Sequence, residues 1–149
     1  VDRIRVVSNT GQNLRLDPTN GALAATDGAL AFSPPGGAPN VSAAAYTNNF
    51  AGATSTVLYD IDVRSGGAIL FQQNPPNNGT LVSVGPLGVE VESANGFDIG
   101  GTSGTAYALL RVGGTTRVYT INLATGSATA GTTLSGNPTV RGFTLGLGF

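Results

Sequence analysis

The chain contains no cysteine, histidine, lysine, tryptophan or methionine, and each absence removes a class of function. Without cysteine there is no disulfide framework, no redox motif and no thiolate metal site. Without histidine the commonest metal ligand and the usual general base at neutral pH are gone. The seven basic residues are all arginine and lie scattered, so no basic stripe suits nucleic acid or anionic lipid. Charged residues make up only 10% of the chain, against roughly a quarter in an ordinary soluble domain. Methionine is absent and the chain starts at Val1, which predicts a mature segment from which a secretory leader has been removed. No apolar run is long enough to span a bilayer as a helix. Scarce charge, abundant threonine and asparagine, and the lack of oxidisable sulfur are expected of a secreted, extracellular protein.

What is present is turn chemistry between short apolar runs. Glycine occurs 23 times and proline eight times, with 40% hydrophobic residues and a net charge of −1. Val, Ile, Leu and aromatic residues alternate with polar ones, which excludes disorder and predicts an all-β domain covering 1–149. At 149 residues the chain is long enough for one sizeable core.

The alternating segments repeat. Three copies of a strand-turn-strand-turn-strand pattern overlay when anchored on Gly11, Gly66 and Gly114. Ile4, Tyr59 and Tyr107 then coincide, as do Val6, Ile61 and Leu109. The next turns are TNG (19–21), NNG (77–79) and ATG (124–126), where Asn and Gly tolerate the positive φ of a tight turn. Leu30, Leu87 and Leu134 follow, 57 and 47 residues apart. The first interval is lengthened by the Pro- and Gly-rich loop SPPGGAP (33–39), read as a surface connection.

A further strand rich in small residues precedes the second and third copies. It carries Ala43, Ala44 and Ala45 before Tyr46, and then Gly96 before Phe97. Its third occurrence, VRGFTLGLG (140–148), stands alone near the C-terminus with Gly142 before Phe143. The first copy lacks such a strand. Units of four antiparallel strands at this period predict β-propeller-type blades, about three per chain. The expected spans are 2–30 plus 139–146 for the first blade, 40–87 for the second and 91–134 for the third. A two-sheet sandwich explains the strands but not the repeated phase.

The stretches VDRIRVVSNTGQNLRLDPTNGALAATDGAL, AYTNNFAGATSTVLYDID, QNPPNNGTLVSVGPLGVEV and NGFDI together resemble a bacterial secreted family defined only as a domain of unknown function. The resemblance covers nearly the whole chain. It implies propeller-like repeats, and a further region with more LY-x-ID repeats ahead of the VDRIRVVSN segment in other members. It supplies no catalytic residues.

Chemistry has few candidates. Asp60 and Asp62 lie two apart on one strand, as do Glu90 and Glu92, and a carboxylate pair is the minimum for glycoside hydrolysis. Each pair alternates with apolar residues, however, which is the pattern of a solvent face. Serine and threonine lack an activating His or Lys. In DPTNG (17–21), Asp17 and Asn20 offer oxygens to calcium, but the same residues make an ordinary Asx turn, and the related NLATG turn lacks the acid. Two N-x-S/T sequons, at Asn40 and Asn78, are common by chance in so polar a chain. RGFTLGLGF faintly resembles a closing outer-membrane strand, but the strands are too short for crossings of about ten residues.

The reading is therefore a non-catalytic protein with no cofactor and no metal, whose partner is itself. Its assembly strand is 140–146, with Val140, Phe143 and Leu145 meeting Ile4 and Val6 of the first copy, within the chain or in a neighbour, to give a closed oligomer or a filament. The alternative is a binding module in which the loops at 33–39 and 47–56 present Tyr46, Asn48, Asn49 and Phe50 to a glycan or a protein.

Overall fold

The structure, a computed structural model, describes residues 2–146 and 149, with the side chains of Ser93 and Ala94 outside that description. It is all-β. Twelve strands form three sheets, each repeated segment making one antiparallel meander. The first sheet contains β1 (Ile4–Val7), β2 (Asn13–Leu16) and β3 (Leu23–Thr26), in that order. The third contains β9 (Val91–Ile99), β10 (Ala106–Val112), β11 (Thr115–Ile121) and β12 (Ala128–Thr133). Between them lies the second sheet: β5 (Val41–Tyr46), β6 (Leu58–Arg64), β7 (Gly67–Gln73) and β8 (Thr80–Pro86). A short strand, β4 (Ala31–Ser33), adds to the outer edge of β8 in parallel.

Turn chemistry sets the meanders. Gly21, Gly79 and Gly126 adopt φ of 72°, 71° and 83°, the left-handed region expected of the third residue in each of the three matching turns. The loop at 33–39 begins one residue inside β4, a pairing the composition of that stretch conceals. Phe32 of β4 explains it: the side chain is buried against Phe71 of β7, with ring centroids 5.0 Å apart.

The main core fills the space between the second and third sheets. Ile61, Leu70, Ala108 and Leu110 are fully buried there, joined by Ile99, Tyr119 and Ile121. Each such leucine or isoleucine stabilises the fold by about 1.5–3 kcal/mol relative to exposure. A smaller cluster, Leu30, Phe32, Val41, Phe71 and Leu81, lies on the other side of the second sheet, and Val7 of β1 packs against it. The second sheet is thus covered on both faces. Among the described residues the sheets do not close into a barrel or a ring.

The C-terminal segment departs from expectation. Residues 140–146 form no strand and make no ladder with β1 in this chain; Leu147 and Gly148 of the expected strand lie outside the described residues. The segment lies instead across β9. The cause is local: Gly96 has no side chain, and a Cβ there would collide with Phe143 and with the backbone at Gly142. The Asp98 carboxylate then anchors the segment, accepting the Leu145 N–H at 2.7 Å and the Thr144 hydroxyl at 3.2 Å. The row of small residues at Ala45, Gly96 and Gly142 therefore continues past the third sheet rather than returning to the first.

Candidate functional site

The first sheet has two unlike faces. Register places Ile4 opposite Leu16, Val6 opposite Leu14, and Leu16 opposite Leu23, so these five aliphatics share one face. That face is uncovered: Ile4 is 49% exposed, Val6 38% and Leu23 59%, with Leu14 and Leu16 half-buried. Their repeat counterparts Tyr59 and Ile61 pack into the main core. Ile4 and Val6 match them in phase but, among the described residues, have no sheet across from them.

The opposite face carries Arg5, Arg15 and Asn13, with Asp27 just beyond β3, and it is turned inward. Arg5 donates to the Tyr46 hydroxyl at 2.8 Å, to Asp27 at 3.0 Å, to Asn13 at 2.5 Å and to Asn77 at 2.7 Å. Asp27 also accepts two bonds from Arg15, each 2.8 Å, and this guanidinium holds its carboxyl below the usual range. Asn13, fully buried, donates to the carbonyls of Gly28 and Pro76. These bonds fasten the first sheet to the second. Charge-assisted hydrogen bonds of this kind are each worth about 1.5–3 kcal/mol when partly desolvated.

Of the two carboxylate pairs read as a solvent face, Asp60 and Asp62 do not lie on one. Asp60 is 0% and Asp62 1% exposed, because β6 is central and its second face is closed by the first sheet. Asp62 pairs with Arg64 at 2.5 Å and accepts the Asn40 N–H at 2.5 Å. Asp60 has no hydrogen-bond partner on either oxygen among the described residues. Burial pushes its carboxyl up to about 7, with Arg5 opposing the shift and Asp62 adding to it. A carboxyl so enclosed does not reach a substrate. Glu90 and Glu92 are exposed, and Glu92 is taken up by Arg111 at 2.8 Å and by the Gly114 N–H at 2.7 Å. Asp17 and Asn20 each accept a backbone N–H two residues on, from Thr19 and Ala22, as Asx turns do. Among the described residues no three His, Cys, Asp or Glu side chains gather as a metal site requires.

At the far end of the molecule Phe143 and Leu145 are half-buried over β9, and Val140 is half-buried as well. Phe149 meets Tyr107 edge-on at 5.9 Å. The structure does not bring Val140, Phe143 or Leu145 together with Ile4 and Val6 in one chain.

It does bring Tyr46, Asn48, Asn49 and Phe50 together. All four line a cleft of about 750 Å³ between the first sheet and the 47–56 loop. The loop is pinned at its base by Thr47, whose N–H donates to Val57 and whose hydroxyl accepts in return, both at 2.9 Å. Asn48 holds φ of 52° and ties its amide to the Ser55 carbonyl. Arg3, Arg5 and Arg15 complete the opposite wall. Sequence reasoning misses this convergence because the arginines are scattered along the chain. The available signal is that Arg3 and Arg5 alternate with Ile4 and Val6, and so share one face.

A family model described as Domain of unknown function (DUF4394) matches residues 1–144. The chain belongs to the DUF4394 family. A search of the curated proteins finds no match. The family description carries no activity, so the function of this DUF4394 chain is argued from its surfaces.

Proposed function

We propose that this chain is a secreted, non-catalytic structural protein that self-assembles head to tail. The 140–146 segment of one copy supplies the missing inner strand beside β1 of the next, and the sheets act as propeller-type blades. The observation that carries the reading is the uncovered aliphatic face of Ile4, Val6, Leu14, Leu16 and Leu23. A contiguous apolar face on a protein with so little surface charge marks an interaction site.

Two further observations support it. Among the described residues β1 pairs only with β2, so its other edge is open to a strand. The segment that matches the inner strands β5 and β9 in sequence lies at the opposite end, across β9. An open edge at one end and a strand-like segment at the other make a heterologous contact, which closes into a ring if the rotation permits and grows into a filament if it does not. Two copies would bring six sheets, within the roughly four to eight blades of a closed propeller.

Light scattering of the whole chain across a dilution series tests this. The expected mass is a multiple of the 14.8 kDa protomer, falling to one protomer in Val6→Glu and in a chain ending at Gly136. A wild-type chain that stays at one protomer at every concentration overturns the proposal.

A further inference from the structure

We propose that the cleft between the first sheet and the 47–56 loop is a binding site for an acidic saccharide, with a uronate carboxylate seated between Arg3 and Arg15 and a sugar ring lying on Phe50. The argument starts from unused hydrogen-bonding capacity. Arg15 gives Nε and Nη2 to Asp27, which fixes its plane and leaves Nη1 without a partner among the described residues. Arg3 forms no ion pair among the described residues and bonds only to the Asp2 carbonyl. Arg5, by contrast, spends four of its five N–H donors within the fold and serves as scaffold.

That scaffold presets two more donors. The Tyr46 hydroxyl oxygen accepts from Arg5, so its own proton is free for a ligand oxygen. The Asn77 carbonyl oxygen also accepts from Arg5, leaving its NH2 group unspent. On the loop, Asn48 spends its NH2 on Ser55 and keeps its amide oxygen as an acceptor. Phe50 presents a ring that is 51% exposed at the mouth. Four donors, one acceptor and one bare aromatic face match the oxygens and the apolar side of a pyranose. The volume lies inside the roughly 300–1,000 Å³ of ligand pockets.

The charge balance selects an acid over a neutral sugar. Three guanidiniums of a chain that has seven face two carboxylates, Asp2 and Asp27, so the cleft is net positive in a molecule that is net negative. A nucleic-acid strand needs a row of cations and several stacking rings. Among the described residues of the cleft, Arg3 and Arg15 carry most of the unspent donors, Arg5 keeps a single N–H, and one ring, Phe50, is bare. An acidic peptide of glutamates is matched by the guanidiniums and leaves the bare ring of Phe50 unused.

Calorimetric titration of the full chain at low salt with trisaccharides of galacturonate, mannuronate and guluronate, against neutral galactose and mannose trisaccharides, tests the site. At least one uronate oligomer is expected to bind tenfold or more tightly than its neutral counterpart. Arg3→Gln and Phe50→Ala are each expected to weaken it about tenfold, with native mass and melting temperature unchanged. Equal binding of acidic and neutral sugars, binding of none of the three uronates, or indifference to both substitutions overturns the proposal. Competition by an oligoglutamate peptide at equal affinity overturns the saccharide assignment in favour of an acidic peptide. Because both substitutions leave the mass unchanged, failure of this site is distinct from failure of self-assembly.

Discussion

The first and second sheets carry the same repeat and opposite burial. Val6 and Ile61 hold one repeat position, yet Val6 is 38% exposed and Ile61 is 0%. Arg5 and Asp60 hold the neighbouring position, both turned toward the junction of the two sheets, one as a cation with four hydrogen bonds and the other as an acid without a partner among the described residues. Alternation along a strand says which side chains share a face. It does not say whether another layer exists to cover that face. The middle sheet has a neighbour on each side and is closed; the third sheet carries the C-terminal segment across β9, and the first sheet leaves its aliphatic face open.

The largest contrast that can be broken is at Asp60. Its carboxyl is raised from 3.8 to about 7 in the fold, so between those values the folded state holds a proton that the unfolded state has released. The Asp60 contribution to stability is therefore fully present below about pH 4, is lost as pH rises toward 7, and is gone above. The total is on the order of 4 kcal/mol. Since the chain has no histidine, the window from about pH 5 to 7 is free of other ordinary side-chain titrations. Urea unfolding across this range should show wild-type stability declining and Asp60→Asn flat. A flat wild-type profile would mean that Asp60 ionises in place, and that the junction between the two sheets is wetter than its packing indicates.

Next is the aliphatic position itself. Ile61→Ala should cost about 3 kcal/mol, within the roughly 2–5 kcal/mol of large-to-small core changes. Val6→Ala in dilute protomer should stay within about 0.5 kcal/mol, as surface changes do. At concentrations where chains associate, Val6→Ala should instead weaken assembly. Equal costs at the two positions in dilute solution would mean that the aliphatic face is covered within one chain.

Much of the architecture was legible in the residues, because it depends on local rules. The glycines at 21, 79 and 126 bend the turns where Asn-Gly, or the matching Thr-Gly, occurs, and strands such as β1 and β10 show period-two alternation. What was not legible depends on which surfaces meet. Asp60 and Asp62 read as a wet face because acids usually are wet; they are dry because β6 lies inside the stack. The place of 140–146 turns on the bare backbone of Gly96 and the carboxylate of Asp98, distant in sequence from the first sheet to which the pattern assigned the segment. Tyr46, Asn48, Asn49 and Phe50 were found as loop residues, whereas the arginine wall facing them needed the fold.

The smallest contrast compares two ion pairs of similar length in unlike surroundings. Arg5 and Asp27, 3.0 Å apart, have side chains only 7% and 6% exposed. Arg111 and Glu92, 2.8 Å apart at the edge of the third sheet, are 24% and 45% exposed. Distance alone would rank the second pair higher, but burial reverses the order. Asp27→Asn leaves a buried guanidinium without its counter-charge, although Tyr46, Asn13 and Asn77 still accept from Arg5. The expected loss is about 2 kcal/mol, insensitive to salt. Glu92→Gln removes an exposed attraction and should cost about 0.5 kcal/mol, vanishing near 1 M salt as screening shortens to about 3 Å. Denaturant unfolding of both variants at low and high salt separates them. Similar losses with similar salt dependence would show that the inward face of the first sheet is solvated, and the first sheet would then be tethered to the second rather than packed on it.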